Sequence, residues 1–432
     1  MNHLRFLFFL SFFSLFLTAL SSLDSEPLHI DIASEAGLLM NAKTGVILYE
    51  KNGEKQMAPG STTKIATALY TLTHAADHLY TLVTAEQEAV ASISPELKIR
   101  SNYKAPSYWN ETDGTHIGIK RGEVFSLHNL LNGLLINSGN DAANCIAQYF
   151  GKGDIPAFVD ELNRYLKDDL GLEKTYFTNP HGLHHPNHMT TAKELALITK
   201  EALKIPAFRT YVMTKRWERP KTNKQETSML YHNNKLIKPG QYYYPHAIGV
   251  KTGYHSKAGH TFVGAAEKDG RTLICVVFKA QRNETYQDCI KLFDAAFEQP
   301  KLAKRLLSKG EQPYTLQLKE ANAPLKTFLR EDLLIEYYPA EEADFQATLF
   351  WDPLTLPIEA GQKVGSIKLS TAYVNAIQEL PLYAQNRVDL SLLARIKKLT
   401  RNLSKKPGIL LGGLVSVGLL LLIVGRFRKK RK

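Results

Sequence analysis

The amino-acid sequence predicts an α/β fold of the α+β type, in which helices cover an antiparallel sheet, followed by a small all-β domain. Strand-like segments open the chain, helical segments fill its middle, and a strand pair and a helix close the first domain. Short alternating segments separated by Pro and Gly then follow. At 432 residues the chain is long enough for both domains, which we predict at residues 28–300 and 312–389.

The first half of the larger domain begins with a predicted hairpin. It joins Leu38–Met40 to Val46–Tyr49 through a turn. A helical pattern of apolar residues runs from Ser61 to Thr73. Residues 127–150 are also mostly helical, with an interruption at Ser138. Helices are therefore expected to follow the opening strands directly.

The second half of this domain contains a capping box and a tight turn. Thr191, with Glu194 three residues later, is typical of a helix start. The dipeptide Asp269-Gly270 stands between two apolar runs and is a strong signal for an antiparallel hairpin. The predicted segments are a helix at 192–202, strands at 261–266 and 272–279, and a helix at 284–297.

The smaller domain is predicted from four short alternating segments, which we interpret as a β domain that separates the first domain from a membrane. These segments are residues 314–318, 333–337, 347–350 and 363–369.

Both ends of the chain have membrane-directed patterns. A positive charge at Arg5, an apolar stretch and small residues predict a signal peptide over residues 1–21, although an uncleaved anchor is the alternative. Residues 391–406 form a basic amphipathic pattern suited to a bilayer surface, and residues 408–425 are uncharged and long enough to span a bilayer. The basic tail at 426–432 favours the cytoplasmic side. We therefore expect anchoring in the plasma membrane, with the folded body on its outer, periplasmic side.

The formal charge of +12 does not indicate a nucleic-acid partner. Twelve of the 54 Lys and Arg residues follow Ser391, where no acidic residue occurs. The remaining 42 (54 − 12) equal the 42 Asp and Glu residues. Because the body is neutral, a nucleic-acid footprint on the fold is not expected.

Three cysteines are too few for a disulfide scaffold. Cys145 and Cys275 lie in apolar runs and are interpreted as buried small hydrophobes. A bridge between Cys275 and Cys289 stays open in an oxidising compartment.

Three short motifs carry the chemistry: Ser61-Thr-Thr-Lys64, Ser138-Gly-Asn140 and Lys251-Thr-Gly253. A serine hydroxyl needs a base to become a nucleophile, and a lysine three residues later on a helix lies on the same face. Burial and a neighbouring cation such as Lys251 would lower the pKa of the Lys64 amine. Ser138 can relay a proton to a leaving amine, and the Asn140 amide can hold a substrate backbone. No cofactor or metal is required.

Each motif alone is weak. Ser101-Asn-Tyr-Lys104 and Lys43-Thr-Gly45 repeat two of the patterns. Ser101 is followed by Ala-Pro, which argues against a helix there, and Lys43-Thr-Gly45 reads as a hairpin turn. The alternatives for the chosen residues are an N-cap serine for Ser61 and for Ser138, and a solvated strand-edge lysine for Lys251.

With these motifs in this order, the chain resembles the penicillin-binding D-alanyl-D-alanine carboxypeptidases of low molecular weight, which are allied to class A β-lactamases. The resemblance covers roughly residues 33–297. It includes the stretches LNGLLINSGNDAA, from Leu131, and NPHGL, from Asn179.

The resemblance implies that Ser61 is acylated, that Lys64 is the general base, and that Ser138 and Asn140 form a second catalytic element. It also implies that Lys251 and Thr252 bind the terminal carboxylate of the substrate. Further implied contacts are Gly253, the backbone N–H groups of Ser61 and Tyr254 as an oxyanion hole, and Asn234. Expected ligands are peptidoglycan stem peptides and β-lactams.

The sequence departs from the family at two places near the site. Tyr254 follows Lys-Thr-Gly where His or Thr is common, and Asn233 stands where an Arg or Thr is frequent. An arginine contact to the carboxylate is then absent, or it is supplied by Lys235.

Four other functions stay open at this level. A D,D-endopeptidase that opens cross-links and an inactive wall-binding scaffold would use the same fold. A β-lactamase would need a glutamate-positioned water, for which we find no motif between Asn140 and Lys251. A metallopeptidase is suggested only by a histidine cluster, which lacks a His-Glu-x-x-His motif and a nearby carboxylate. The cluster consists of His181, His184, His185 and His188.

Overall fold

A computed structural model describes residues 14–17, 27–341, 345–371 and 374–404. The chain divides into two compact units, the first drawn from Asp24–Leu302 and Tyr337–Glu342 and the second from the other residues. The predicted transmembrane segment at 408–425, the tail at 426–432 and most of the predicted signal peptide lie outside the described residues. In the part that is described, no helix is long and apolar enough to cross a membrane.

The regular elements follow the chain in this order. The α-helices are Lys64–His74 (α1), Gln87–Val90 (α2), Pro95–Arg100 (α3), Leu127–Leu135 (α4), Asn140–Phe150 (α5), Ile155–Arg164 (α6), Ala192–Leu203 (α7), Pro206–Met213 (α8), Glu284–Phe297 (α9) and Leu392–Ser404 (α10). The strands are Ser14–Leu17 (β1), Ala36–Asn41 (β2), Ile47–Lys51 (β3), Leu82–Thr84 (β4), Ser92–Ile93 (β5), Asn110–Glu111 (β6), Val124–Ser126 (β7), Arg216–Arg219 (β8), Ser228–Tyr231 (β9), Ala247–His255 (β10), Gly259–Lys268 (β11), Arg271–Ala280 (β12), Leu302–Leu307 (β13), Gly310–Leu316 (β14), Leu325–Leu329 (β15), Leu333–Tyr337 (β16), Phe345–Trp351 (β17), Lys363–Thr371 (β18) and Val374–Ala384 (β19).

The first unit is built on a five-stranded antiparallel sheet with the order β10-β11-β12-β2-β3. Alternate residues of β2 and β12 point to opposite faces. Leu39 and Cys275 pack with α9, while Leu38 and Val276 share a core with α7 and α8. The predicted antiparallel sheet covered by helices is confirmed. Among the described strands, β10 lies at the edge of this sheet and pairs only with β11.

Local signals in the sequence account for several of these elements. Asp269 and Gly270 adopt φ values of +51° and +75°, which is the geometry of the tight turn between β11 and β12. The Thr191 hydroxyl accepts a hydrogen bond from the Glu194 N–H at 3.0 Å and caps α7. The Glu194 carboxylate, however, accepts from the N–H groups of residues 173 and 174. The capping box is therefore only half formed.

The second unit contains a six-stranded sheet with the order β1-β17-β18-β19-β15-β14 and a separate pair, β13 with β16. The four strand segments predicted here are present, and β1, β13, β15 and β19 were not predicted as strands. Its core includes Leu325, Ile358 and Val364. Helix α10 occupies most of the predicted amphipathic segment, and its Leu392 and Leu393 side chains are exposed.

All three cysteines are buried and carry free thiols. The sulfur atoms of Cys275 on β12 and Cys289 on α9 are 2.7 Å apart. Cys145 lies in α5.

Candidate active site

Ser61 lies in a tight 3-10 turn, Gly60–Thr63, that leads directly into α1. Gly60 has a φ of +58°, a left-handed conformation that glycine adopts without steric cost. The Thr261 hydroxyl on β11 donates to the Pro59 carbonyl at 2.7 Å and ties this turn to the sheet. Lys64 is the first residue of α1, and its Nζ is 2.9 Å from the Ser61 Oγ. The turn therefore brings the two side chains of the first motif into contact.

The Lys64 amine is fully buried and has two further neighbours. Its Nζ is 2.7 Å from the Asn140 Oδ1 and 2.8 Å from the carbonyl oxygen of His181. Both oxygens only accept hydrogen bonds. A neutral amine has two N–H groups, which these oxygens use, and its lone pair then faces the Ser61 hydroxyl. Burial, and secondly the charge of Lys251, hold the pKa of Lys64 well below its ordinary value.

Ser138 lies between α4 and α5, and Asn140 is the first residue of α5. Ser138 has a φ of +68°, an uncommon conformation for a residue other than glycine. Gly139, not Ser138, is the N-cap of α5, so the N-cap interpretation of Ser138 is wrong. The buried Asp141 carboxylate accepts hydrogen bonds from the N–H groups of residues 117 and 119 and fixes the loop beside Asn140.

Lys251 lies on β10 and is 1% exposed, so the interpretation as a solvated edge lysine is wrong. Its Nζ donates to the Ser138 Oγ and to the Thr252 carbonyl oxygen, both at 2.9 Å. Burial lowers its pKa to about 7. The third motif thus joins the second through a direct hydrogen bond.

The two backbone segments that flank Ser61 touch each other. A Cβ placed on Gly253 would lie 3.0 Å from the Ser61 nitrogen and 2.2 Å from the Thr261 hydroxyl. A Cβ on Gly60 would lie 3.4 Å from the Tyr254 nitrogen. The backbone nitrogens of Ser61 and Tyr254 therefore lie close together beside the Ser61 hydroxyl. Glycine at position 253 is required by this close approach.

Ser61, Ser138 and Asn140 line one cleft of about 640 Å³, whereas the buried Lys64 and Lys251 do not line it. The predicted contacts Thr252, Gly253 and Tyr254 line it, but Asn234 does not. Asn234 is fully buried, and its Oδ1 accepts the Leu236 N–H at 2.9 Å within its own turn. The structure therefore does not place Asn234 at the cleft surface, and its role as a substrate contact stays a prediction. Asn233 and Lys235 lie in the cleft instead.

The histidine cluster is structural. His181 and His188 are buried, and burial holds the pKa of each well below its ordinary value. His188 bonds to the hydroxyl of Thr63, and the His181 ring bonds to the carbonyl of Tyr108. Within the described ranges, no group of three or more His, Cys, Asp or Glu side chains is arranged to hold a metal ion.

Sequence reasoning did not assign a role to the His181 carbonyl or to Thr261. Asn179 shapes the loop that presents this carbonyl, because its Oδ1 accepts the Gly182 N–H at 2.7 Å. The NPHGL stretch was noticed as part of the family resemblance, and that was the available signal. The Thr261 hydroxyl contacts a residue that is 202 positions away in the sequence. No motif of neighbouring residues indicates such a contact.

The two repeated motifs lie elsewhere. Ser101 follows α3, and its hydroxyl donates to the Lys98 carbonyl oxygen at 2.7 Å. No helix begins at Ser101. Lys43-Thr-Gly45 forms the turn between β2 and β3, as predicted.

The chain is similar to known proteins in sequence and in fold. Residues 22–282 match a family described as D-alanyl-D-alanine carboxypeptidase. Over 354 residues the chain is 30% identical to D-alanyl-D-alanine carboxypeptidase DacF of Bacillus subtilis (strain 168). This alignment covers 78% of this chain and 82% of the relative. Over 255 residues it is 32% identical to a D-alanyl-D-alanine carboxypeptidase of Streptomyces sp. (strain K15), with 57% of this chain and 80% of the relative covered. Its fold is similar to penicillin binding protein 5 from Haemophilus influenzae, with a TM-score of 0.57, 23% identity and coverage of 84% and 100%.

Proposed function

Because the chain belongs to the D-alanyl-D-alanine carboxypeptidase family, whose members are serine peptidases of the cell wall, we propose that it cleaves the terminal D-alanine from peptidoglycan stem peptides through an acyl-enzyme on Ser61. The observation that carries this assignment is the contact between the buried Lys64 amine and the Ser61 hydroxyl. β-Lactams would acylate the same oxygen.

In the first step, Lys64 takes the proton of the Ser61 hydroxyl, and the serine oxygen attacks the carbonyl carbon of the penultimate D-alanine. The negative charge on the carbonyl oxygen is then stabilised by the backbone N–H groups of Ser61 and Tyr254. The lowered pKa of Lys64 supports this step, since only a neutral amine can accept the proton.

In the second step, the bond to the leaving D-alanine breaks, and its amine takes the proton that Lys64 received in the first step, relayed through the Ser138 hydroxyl, so that Lys64 is neutral again. Lys251 supports this role because its ammonium donates to the Ser138 hydroxyl, which leaves the Ser138 proton free to point into the cleft. A water molecule then hydrolyses the ester on Ser61. Lys251 and Thr252 bind the terminal carboxylate, with the open edge of β10 aligning the extended peptide.

We also propose that the protein is held at the outer surface of the plasma membrane by residues 391–406 and 408–425. The exposed leucines of α10 support this location, because an apolar helix face in water favours a lipid surface.

The experiment is covalent labelling of the full chain with a fluorescent penicillin, followed by mass spectrometry of the adduct. Ser61→Ala should abolish labelling. Ser101→Ala is the matched control from the repeated motif and should label normally. An adduct on another side chain, or normal labelling of the Ser61→Ala protein, would show that a different nucleophile operates. Mass analysis of treated wall peptides, as loss of one alanine or as opened dimers, then separates a carboxypeptidase from an endopeptidase.

A further inference from the structure

A buried ion pair lies in the wall of the same cleft, away from the residues used above. Lys98 on α3 and Glu111 on β6 are 3.0 Å apart, with side chains only 2% and 7% exposed. Both line the cleft. Within the described ranges, Glu111 is the single acceptor of the Lys98 ammonium. An ammonium has three N–H groups, so two of them have no protein partner, and burying them in that state is costly.

The second carboxylate oxygen of Glu111 also lacks a hydrogen-bond partner at ordinary distance in the part of the chain that the structure describes. Its neighbour is the His255 Nε2, at 3.5 Å, which is longer than an ordinary hydrogen bond. Burial would raise the pKa of Glu111, but the contacts with His255 and Lys98 outweigh burial and hold it below its ordinary value, so the group is a carboxylate at neutral pH.

Aromatic rings close this end of the cleft. The ring of His184 stacks on that of His255, with centroids 5.3 Å apart, and Tyr103 packs edge-on against His184. Burial lowers the pKa of His184 to about 4, so this ring adds no charge near pH 7. The pair therefore presents one positive and one negative group to the cleft beside the flat rings of Tyr103 and His184.

The position of the Lys98–Glu111 pair relative to β10 determines which part of a bound substrate lies next to it. Lys251, Gly253 and His255 alternate on one face of the strand, at about 3.3 Å per residue. Gly253 lies beside Ser61, Lys251 contacts Ser138 on one side, and His255 contacts Glu111 on the other. The ion pair is therefore about 7 Å along the strand from Ser61, in the direction opposite to Lys251.

We propose that Lys98 and Glu111 recognise a side chain of the stem peptide that ends in an ammonium group and a carboxylate on the same carbon. This inference rests on the proposed function, which puts the terminal carboxylate at Lys251 and so directs the acyl part of the peptide toward His255. The ligand carboxylate accepts from the unfilled N–H groups of Lys98, and the ligand ammonium donates to the second oxygen of Glu111. Each buried charge then gains the partner that the protein does not supply.

The test compares three synthetic peptides on the unaltered full chain. All end in D-alanyl-D-alanine, and they differ only at the end of the side chain before it, which carries an ammonium with a carboxylate, an ammonium alone, or a methyl group. The kcat/KM for the first is expected to exceed that for each of the others by about tenfold or more. A value within about twofold for either of the others overturns the proposal. If the proposed function itself fails, none of the three is hydrolysed and no penicillin adduct forms on Ser61.

A double variant tests whether this pair makes the distinction. Lys98→Met with Glu111→Gln removes both charges together and leaves neither ion unpaired. The readout is the ratio of the kcat/KM values for the first and third peptides, both measured on the same protein. A variant with less folded protein lowers both values by the same factor, so the ratio does not change. The ratio is expected to fall to within about twofold of one. A matched control is Lys204→Met with Glu201→Gln, a solvent-accessible ion pair at the C-terminal end of α7, which should keep the full ratio. An unchanged ratio in the Lys98/Glu111 variant would refute the proposal.

Discussion

The contact between Gly182 and Gly60 positions the nucleophile, and replacing Gly182 by alanine measures its importance. Gly182 has a φ of +94°, and a Cβ there would lie 1.9 Å from the Gly60 carbonyl oxygen and 2.9 Å from the Thr63 hydroxyl. Real Cβ atoms essentially never approach another heavy atom within 3.0 Å. The Gly60 carbonyl, or the loop that carries Gly182, must therefore move by about 1.1 Å (3.0 − 1.9).

This displacement acts on both partners of the Lys64 amine. Gly60 precedes Ser61, and Gly182 follows His181, whose carbonyl oxygen accepts from Lys64. A misplacement of about 1 Å can cost about 100-fold in rate. We therefore expect Gly182→Ala to lower the second-order rate constant of acylation by a fluorescent penicillin about 100-fold.

A matched control separates this effect from backbone strain. Gly171 has a similar φ of +70°, but no heavy atom lies within 4 Å of its Cβ position. Alanine should cost about 1–2 kcal/mol of backbone strain at either site. Gly171→Ala should therefore lower the melting temperature but acylate at the normal rate. Rate constants are compared, not amplitudes, so that loss of folded protein does not count. If Gly182→Ala acylates within about threefold of the unaltered protein, the contact does not position Ser61.

Two further predictions concern burial and location. Lys251→Met should abolish acylation but stabilise the fold at pH 7, while Lys43→Met, in the exposed repeat of the motif, should change neither. The pKa of Lys251, about 7, lies below its ordinary value of 10.5, so between these values the unfolded chain binds more protons and stability rises with pH. The gain in folding stability from Lys251→Met should therefore shrink as the pH rises toward 10. Thermal melts of both proteins between pH 7 and pH 10 measure this gain. If Lys251→Met is less stable than the unaltered protein at pH 7, burial of this lysine does not carry the assigned cost. A chain that ends at Leu390 should leave the membrane fraction and still react with penicillin, whereas sedimentation with membranes after a salt wash would show that other residues hold it there.

The sequence predicts features that depend on neighbours along the chain. The turn at Asp269-Gly270, the break at Ser138 and the start of α7 at Thr191 each rest on fewer than five adjacent residues. The three catalytic motifs are found the same way, because each has its chemistry within four residues. Their assembly was inferred from family resemblance, since no local pattern brings Lys251 to Ser138, 113 residues away.

The features that the sequence did not predict depend on distant contacts or on irregular backbone. Asn234 was predicted as a cleft residue, but its neighbour Asn233 lines the cleft. These residues lie in a turn that has neither helical nor strand periodicity, so the sequence does not determine which side chain faces outward. Glu194 completes only half of its capping box, since the N–H groups of residues 173 and 174 attract its carboxylate. The pairing of Lys98 with Glu111 joins two short elements whose residues are ordinary surface types in any local pattern.

The two buried lysines of the site divide their roles through electrostatics. Two buried ammonium groups that lie near each other repel, so one of them gives up its proton more readily. The Lys64 amine has two oxygen acceptors for the N–H groups of its neutral form, while Lys251 donates to Ser138 and to a carbonyl. The charge of Lys251 further lowers the pKa of Lys64. Of the two, Lys251 is therefore the group that holds its proton more strongly and would receive the carboxylate in the proposed reaction, and Lys64 is the group that would accept a proton. A chain without Lys251 would lose the proposed carboxylate contact and also the repulsion that lowers the pKa of Lys64, so the proposed base would be weakened as well.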